Sequence, residues 1–338
     1  MKYPAQIRFI NLINLPRVII KCFVCLIKQK LYLTYNVKPL LRIFLENNDG
    51  SISKADIDKI LNYYGLGMTF VLAEGYCLLL GKNITSKERA VTTYLGTLVG
   101  MVDDMFDEYN YSYDEVFKLY QSQQFKKNNN FEKLFIKLLS NAIKIVPYRK
   151  SFEYYVSKIL KAQQITKSQL SHIISFHELE EITELKGGYS LMLFYCLFEN
   201  NITDKKTKAL MQLGKLMQLG NDIFDVYKDN KDGIKTIPSI STDVKYLRTY
   251  FNNELTKTIA MLYDTEWKPN DVESFLHFLF FLFSRCFVCI DQFEKLQLLI
   301  DNKFEITRYS RKDLICDMEK PTNFIKSIYY YLQIKLTQ

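Results

Sequence analysis

Apolar residues recur at three- and four-residue spacing in long blocks of this chain: 61–80, 90–101, 131–146, 152–160, 189–198, 206–226, 246–262 and 272–299. That period lays one apolar stripe along an α-helix, whereas a half-buried strand would alternate at every second residue. Between the blocks stand turn-forming clusters: Asn47-Asn48-Asp49-Gly50, Gly81-Lys82-Asn83, 128–130, Asn200-Asn201, 231–238 and Lys268-Pro269-Asn270. Thr85-Ser86-Lys87-Glu88 has the form of a capping box just before an apolar block, which marks a helix start. The pattern predicts an all-α fold, one bundle of about ten helices. Residues 46–338 form the bundle, and 1–45 a basic, apolar, helical N-terminal segment.

Composition changes this picture only at a few points. The 338 residues contain just 12 Gly and 7 Pro, and no low-complexity linker divides them, which favours one domain. Tyr and Phe number 24 each, enough to build an aromatic-rich core. A net charge of +8 suits an anionic ligand or an anionic surface. The basic residues are scattered rather than gathered in arms, and no zinc-finger or RNA-recognition spacing occurs, so nucleic acid is not an expected partner. Seven Cys is an odd count in a long chain, which argues for a reducing, cytoplasmic setting. Two Cys-Phe-Val-Cys strings, at 22–25 and 286–289, could be paired as a zinc site, but both lie in apolar runs where Cys behaves as a small hydrophobe. The apolar stretch 15–27 is broken by Pro16, Arg17 and Lys21 and reads as too short and too charged to span a bilayer. No small-residue cleavage site follows it, so it does not read as a signal peptide. A basic, apolar first helix can rest on a membrane surface or pack on the core, so peripheral membrane contact stays open, as does homodimerisation. The run 275–290 contains His277 and Arg285 and reads as a buried helix. Asn48 to Ser53 resembles part of an EF-hand loop, but the positions that should bear calcium ligands fall on Leu45 and Asp56, which favours a turn with a helix cap.

The chemistry concentrates in two acidic runs placed where carboxylates should be scarce. Asp103-Asp104-Met105-Phe106-Asp107-Glu108 follows a nearly uncharged helix pattern, and Asp103 and Asp107, four apart, stack on one helical face. Asn221, Asp225 and Asp229 repeat every four residues and form an oxygen-bearing stripe, with Asp222 beside it. Like charges at this spacing destabilise a helix unless a cation neutralises them. A hard divalent ion such as Mg2+, which takes carboxylate oxygens and brings phosphate oxygens with it, suits both runs. Two such helices facing each other could hold two or three ions and, through them, a diphosphate whose departure the metals assist as Lewis acids.

At these residues the chain resembles the class I isoprenoid diphosphate synthases. Asp103-Asp104-Met105-Phe106-Asp107-Glu108 is similar to their aspartate-rich DDxxD(E) motif. Asn221 to Asp229 is similar to the NDxxSxxxE motif of class I terpene synthases, with Asp225 in place of Ser/Thr and Asp229 in place of Glu. The resemblance covers roughly 60–310, and the 118 positions from Asp103 to Asn221 are compatible with it. It implies a Mg2+-dependent enzyme, with Mn2+ as an alternative, that ionises a linear prenyl diphosphate and forms a cyclised or rearranged terpene. Asp103, Asp107, Asn221, Asp225 and Asp229 would bind metal, and Asp104 and Asp222 would support them. Arg308-Tyr309, 87 residues after Asn221, is similar to the Arg-Tyr pair that closes on diphosphate in terpene synthases. Lys186, Lys228 and Lys235 are further diphosphate ligands by charge.

Several departures from the family pattern stand in this sequence. No Arg occurs between Arg149 and Arg248, so the usual diphosphate-sensing Arg before the second motif is missing, and Lys186 could substitute only as a point charge. Lys186-Gly187-Gly188 reads as a helix break near the substrate or as a plain loop. The second run also matches chain-elongating prenyltransferases, and Asp225 and Asp229 match the paired aspartates of squalene and phytoene synthases. The Arg-Arg-Gly expected after the first motif of an elongating enzyme is absent. A non-enzymatic prenyl-lipid-binding helical protein is the reading from outside catalysis.

Overall fold

The computed structural model describes residues 5–171, 173–200, 202–300 and 302–336, and among them no strand occurs. The fold is all-α. In chain order the helices are α1 (Ala5–Tyr32), α2 (Lys38–Glu46), α3 (Lys54–Asp58), α4 (Gly65–Met68), α5 (Glu74–Leu79), α6 (Ser86–Asp107), α7 (Tyr113–Ser122) and α8 (Asn130–Ile145). They continue with α9 (Arg149–Ile165), α10 (Phe176–Tyr195), α11 (Asp204–Lys231), α12 (Ile237–Ile240), α13 (Val244–Tyr263), α14 (Pro269–Leu299), α15 (Arg311–Leu314) and α16 (Pro321–Gln333).

Local chemistry accounts for the helix starts. The Thr85 side chain accepts from the Glu88 N–H while Glu88 accepts from the Thr85 N–H, so the expected capping box opens α6. Ser53 and Asp56 do the same for α3, and this is what the Asn48–Ser53 turn leads into, in keeping with a cap rather than a calcium loop. Three π-helical segments modify the pattern. Leu33–Val37 joins α1 to α2, and Lys59–Tyr64 and Thr69–Ala73 join α3, α4 and α5 into one rod. Each widened turn shifts the faces that follow it, and such turns recur at functional positions.

The chain divides into two compact units, Met1–Val18 with Lys161–Met192 and Ile202–Gln338, and Ile19–Leu160 with Leu193–Asn201. Residues 1–45, expected as a separate segment, are therefore shared between them. In the unit containing Ile19–Leu160, α6 packs on α8 and against the α4 rod, over a core that includes Tyr76, Phe131, Leu138 and Phe152. In the other, α11 packs on α13 and α14, and α14 on α16, around Phe251, Phe280, Phe293 and Tyr331. The helix through 275–290 is indeed largely buried, but α14 is 31 residues long, and by length and composition it and Gln6–Glu46 are each long and apolar enough to cross a membrane. For the N-terminal helix this corrects the shorter stretch expected from sequence, because the π segment carries the helix past Tyr32 without a break.

The Lys186-Gly187-Gly188 break does not occur. Helix α10 runs unbroken through it, and the glycines serve a helix crossing instead. A Cβ on Gly187 would lie 2.1 Å from the Gly214 carbonyl oxygen of α11, and a Cβ on Gly214 would lie 2.4 Å from Gly187 backbone. The two backbones touch there because neither carries a side chain.

Gly187→Ala or Gly214→Ala is therefore expected to destabilise the fold by about 1–3 kcal/mol or more, since backbone has to move. Gly67→Ala, in helix and facing open space, should instead stabilise by about 0.5–1 kcal/mol. Urea unfolding of the three variants checks this, and a neutral Gly187→Ala would show that the helices separate at no cost.

Candidate functional site

The second acidic run lies on α11 in the unit that contains Ile202–Gln338. Its apolar first half, with Leu210, Leu213, Leu216 and Leu219 all buried, holds the helix in the core. The run that follows keeps the same helix and so drags carboxylates inward. Asn221 is exposed, Asp225 is half-buried, and Asp222 and Asp229 are buried. Asn221 Nδ2 donates to Asp225 Oδ2 at 3.0 Å, Gln218 Nε2 donates to Asp222 Oδ1 at 2.7 Å, and Thr236 Oγ1 donates to Asp229 Oδ2 at 3.3 Å.

These neutral donors do not offset the burial. Desolvation pushes the Asp222 carboxyl up to about 6 and the Asp229 carboxyl up to about 7, and neighbouring carboxylates push both further in that direction. Burial also raises Asp225. The Lys186 charge, carried on α10 one residue before the Gly187–Gly214 crossing, lowers all three. It forms no ion pair with any of them among the described residues. The α11 segment is thus an anionic stripe short of positive charge.

The donor set fits a hard cation. Every candidate ligand is an oxygen, and Asn221, Asp225 and Asp229 share one helical face. Among the described residues no group of three or more His, Cys, Asp or Glu could hold a metal ion by itself. Mg2+ keeps several waters and takes one or two carboxylates together with phosphate, so the stripe could supply only part of its coordination.

The first run lies on α6 in the other unit, and its neighbours are set by glycines. A Cβ on Gly100 would lie 2.4 Å from the Tyr64 ring, and one on Gly96 would lie 3.0 Å from Met68. Tyr64 packs into this gap and donates from its hydroxyl to Asp103 Oδ2 at 2.9 Å. Asp104 points elsewhere: it is buried and ion-paired with Lys59, which also bonds Glu108 Oε1 at 2.9 Å. Burial raises the Asp104 carboxyl even so, because Lys59 offsets only part of the desolvation. Lys59 and Tyr64 are the first and last residues of one π segment, so that widened turn presents both to α6. Asp107 ends α6 by its backbone, and its side chain lies outside the described residues.

The remaining expected residues are dispersed. Lys228 is exposed on α11 and lowers Asp225 by its charge. Arg308 is exposed and ion-paired with Glu305 on its own turn, while Tyr309 stacks on Phe304 at 5.5 Å; this turn lies against α11. Lys235 meets Gln169 through its backbone. His277 hydrogen-bonds with Asn14 and Tyr331, and burial lowers it to about 4, so it is a neutral core residue; His172 lies outside the described residues. The Cys-Phe-Val-Cys strings are buried free thiols, and burial pushes Cys22 and Cys286 up to about 12, as suits small hydrophobes.

Two groups escape a reading of the sequence. Lys59 and Tyr64 have no local signal linking them to residues some forty positions away, although Gly96 and Gly100 at four-residue spacing do mark a close helix contact. Arg285 of α14 sits over the ring of Phe224, inside the second acidic run, at 5.6 Å. It brings a guanidinium to α11 from far along the chain, where no Arg precedes the motif.

Comparison with known proteins matched no family model, no curated protein and no solved structure.

The raised carboxyls fix a pH dependence. A folded-state value above the ordinary 3.8 means that the fold holds the proton more tightly than the unfolded chain does. The stability this contributes is complete below that ordinary value and is lost as pH rises through about 7. Asp229→Asn, neutral throughout, is expected to stabilise the metal-free protein by roughly 1–3 kcal/mol at about pH 8 and to have little effect near pH 4. Thermal melts at both pH values check it, and destabilisation at the higher pH would mean that the Asp229 charge is already compensated.

Proposed function

We propose that the chain is a class I terpene synthase that ionises a linear prenyl diphosphate in the presence of Mg2+ and turns the allylic cation into a cyclised or rearranged terpene. The observation that carries this reading is the α11 stripe. Asn221, Asp225 and Asp229 share a face, the two carboxyls are raised by burial, and among the described residues no ion pair offsets them. A structural surface stripe would be solvated or salt-bridged, and a buried carboxylate with only neutral donors beside it is costly unless something cationic is meant to meet it.

In this proposal Asn221, Asp225 and Asp229 hold metal through oxygen, with Gln218 fixing Asp222 behind them. In the other unit the Tyr64 hydroxyl orients the Asp103 carboxylate, whereas Asp104 serves the fold through Lys59. When bound, the divalent ions neutralise diphosphate charge and act as Lewis acids on its oxygens, which makes it a leaving group. Lys186, Lys228 and Arg285 supply positive charge around α11 for the departing anion. Arg308 would join them only after leaving Glu305. Metal binding competes with the protons that Asp222 and Asp229 hold near neutral pH, so ion uptake releases protons and weakens as pH falls.

Incubation with ten-, fifteen-, twenty- and twenty-five-carbon prenyl diphosphates plus Mg2+ should yield diphosphate together with a hydrocarbon or alcohol. Asp225→Asn should lower kcat more than about a hundredfold, and Gln218→Ala by about ten- to a hundredfold with the fold intact. Release of diphosphate with neither product would sink the cyclase assignment, and incorporation of two prenyl chains would replace it with head-to-head coupling. Four inert substrates, with Asp225→Asn indistinguishable from the parent chain, would leave a non-catalytic lipid binder.

A further inference from the structure

Helix α1 carries two apolar faces, and only one of them is used. On the inner face, Cys22, Cys25 and Leu33 are buried, and Gln29 is buried with its amide donating to the Gly65 carbonyl at 2.8 Å and to Thr93 Oγ1 at 2.9 Å. Arg89 donates to Gln29 Oε1 at 2.9 Å, and Lys21 pairs with Glu74 at 3.4 Å. The helix is therefore fastened along one side by specific polar contacts that a free amphipathic tail would lack.

The outer face is bare. Ile20 and Phe23 are 63% and 65% exposed, Ile27 and Leu31 are exposed as well, and the same helix carries the stripe towards its start through Ile13 and Phe9. At 3.6 residues per turn these six side chains fall within an arc of about 80°, opposite the buried positions. Arg17 and Lys28 flank the arc on one side, and Arg8 and Lys30 on the other, all exposed. From 5 to 45 the chain has seven basic residues, Arg8, Arg17, Lys21, Lys28, Lys30, Lys38 and Arg42, and no acidic residue at all.

We propose that α1 is a membrane-docking helix that lies in the plane of a bilayer bearing anionic headgroups. Its apolar arc sits below the headgroups, and the flanking Arg and Lys side chains reach phosphate level on either side. The charge pattern selects this occupant over a second copy of the chain, since two copies joined through this face would bring basic flanks together without a single acid to pair them. The inner face selects lying over spanning. Although the helix is long enough to cross, doing so would strip Gln29 and Lys21 from Gly65, Thr93 and Glu74. This docking is independent of the reaction proposed above.

Flotation of the full chain with vesicles tests it. Vesicles of phosphatidylcholine with about a third phosphatidylserine should carry the protein up, and partition should fall at least about tenfold with phosphatidylcholine alone or in about 1 M salt. Phe23→Glu with Ile27→Glu should abolish flotation without altering the circular dichroism or the melting temperature, because both positions are exposed. Lys28→Glu with Lys30→Glu should remove the preference for anionic lipid. A folded parent chain that floats with neither vesicle overturns the proposal, as does equal partition to both. Self-association that the Phe23 and Ile27 substitutions remove, in the absence of flotation, assigns the face to a second copy instead. Resistance of the bound protein to alkaline carbonate extraction assigns the helix to spanning.

Discussion

Where α10 crosses α11, Gly187 and Gly214 bring backbone against backbone, and that contact holds α11 in the core, where burial raises its carboxyls. Side chains of ordinary size would hold the axes some 8–10 Å apart. With none, Lys186 comes close enough to lower Asp222, Asp225 and Asp229 at once, yet among the described residues it forms no ion pair with them. The result is a partial neutralisation. The helix tolerates its carboxyls in part by holding their protons to a higher pH than free carboxyls do.

The α6 segment reaches a different balance by a similar device. Gly96 and Gly100 open a groove into which Tyr64 packs, and the π segment that ends at Tyr64 begins at Lys59. One widened turn thus serves two neighbouring aspartates in opposite ways. Asp103 receives a neutral hydroxyl, whereas Asp104 receives an ammonium and becomes part of the fold. Adjacent identical residues in a helix point about 100° apart, so the same letter in a motif carries different work.

Local propensity, capping and burial agree along most of this chain, and the two acidic runs are where they disagree. A helix that is apolar from Leu210 to Leu219 and then turns acidic without leaving the core violates the pattern that surrounds it. Sequences that fold well keep such conflicts few and confine them to functional positions. The bare arc of α1 is a second conflict of the same kind, apolar where solvent is expected, and its basic flanks indicate which surroundings would resolve it.

The all-α class, the start of α6 at Thr85, the turn before α3 and the placing of Asn221, Asp225 and Asp229 along one helix were all legible in the sequence, because each rests on spacing within a few residues. Helical period, capping boxes and four-residue repeats are local, and local geometry is the same in any fold. The unbroken path of α10 through Gly187-Gly188 was not legible: glycine signals a break when the helix stands alone and a close crossing when another backbone arrives, and only the tertiary structure supplies Gly214. The division of labour between Asp103 and Asp104, the arrival of Arg285 over Phe224, the pairing of Arg308 with Glu305 and the uncovered face of α1 were likewise decided by tertiary structure. Each depends on partners far away in sequence, and burial, which sets the charge a carboxyl can carry, is a property of the packed chain rather than of the residue.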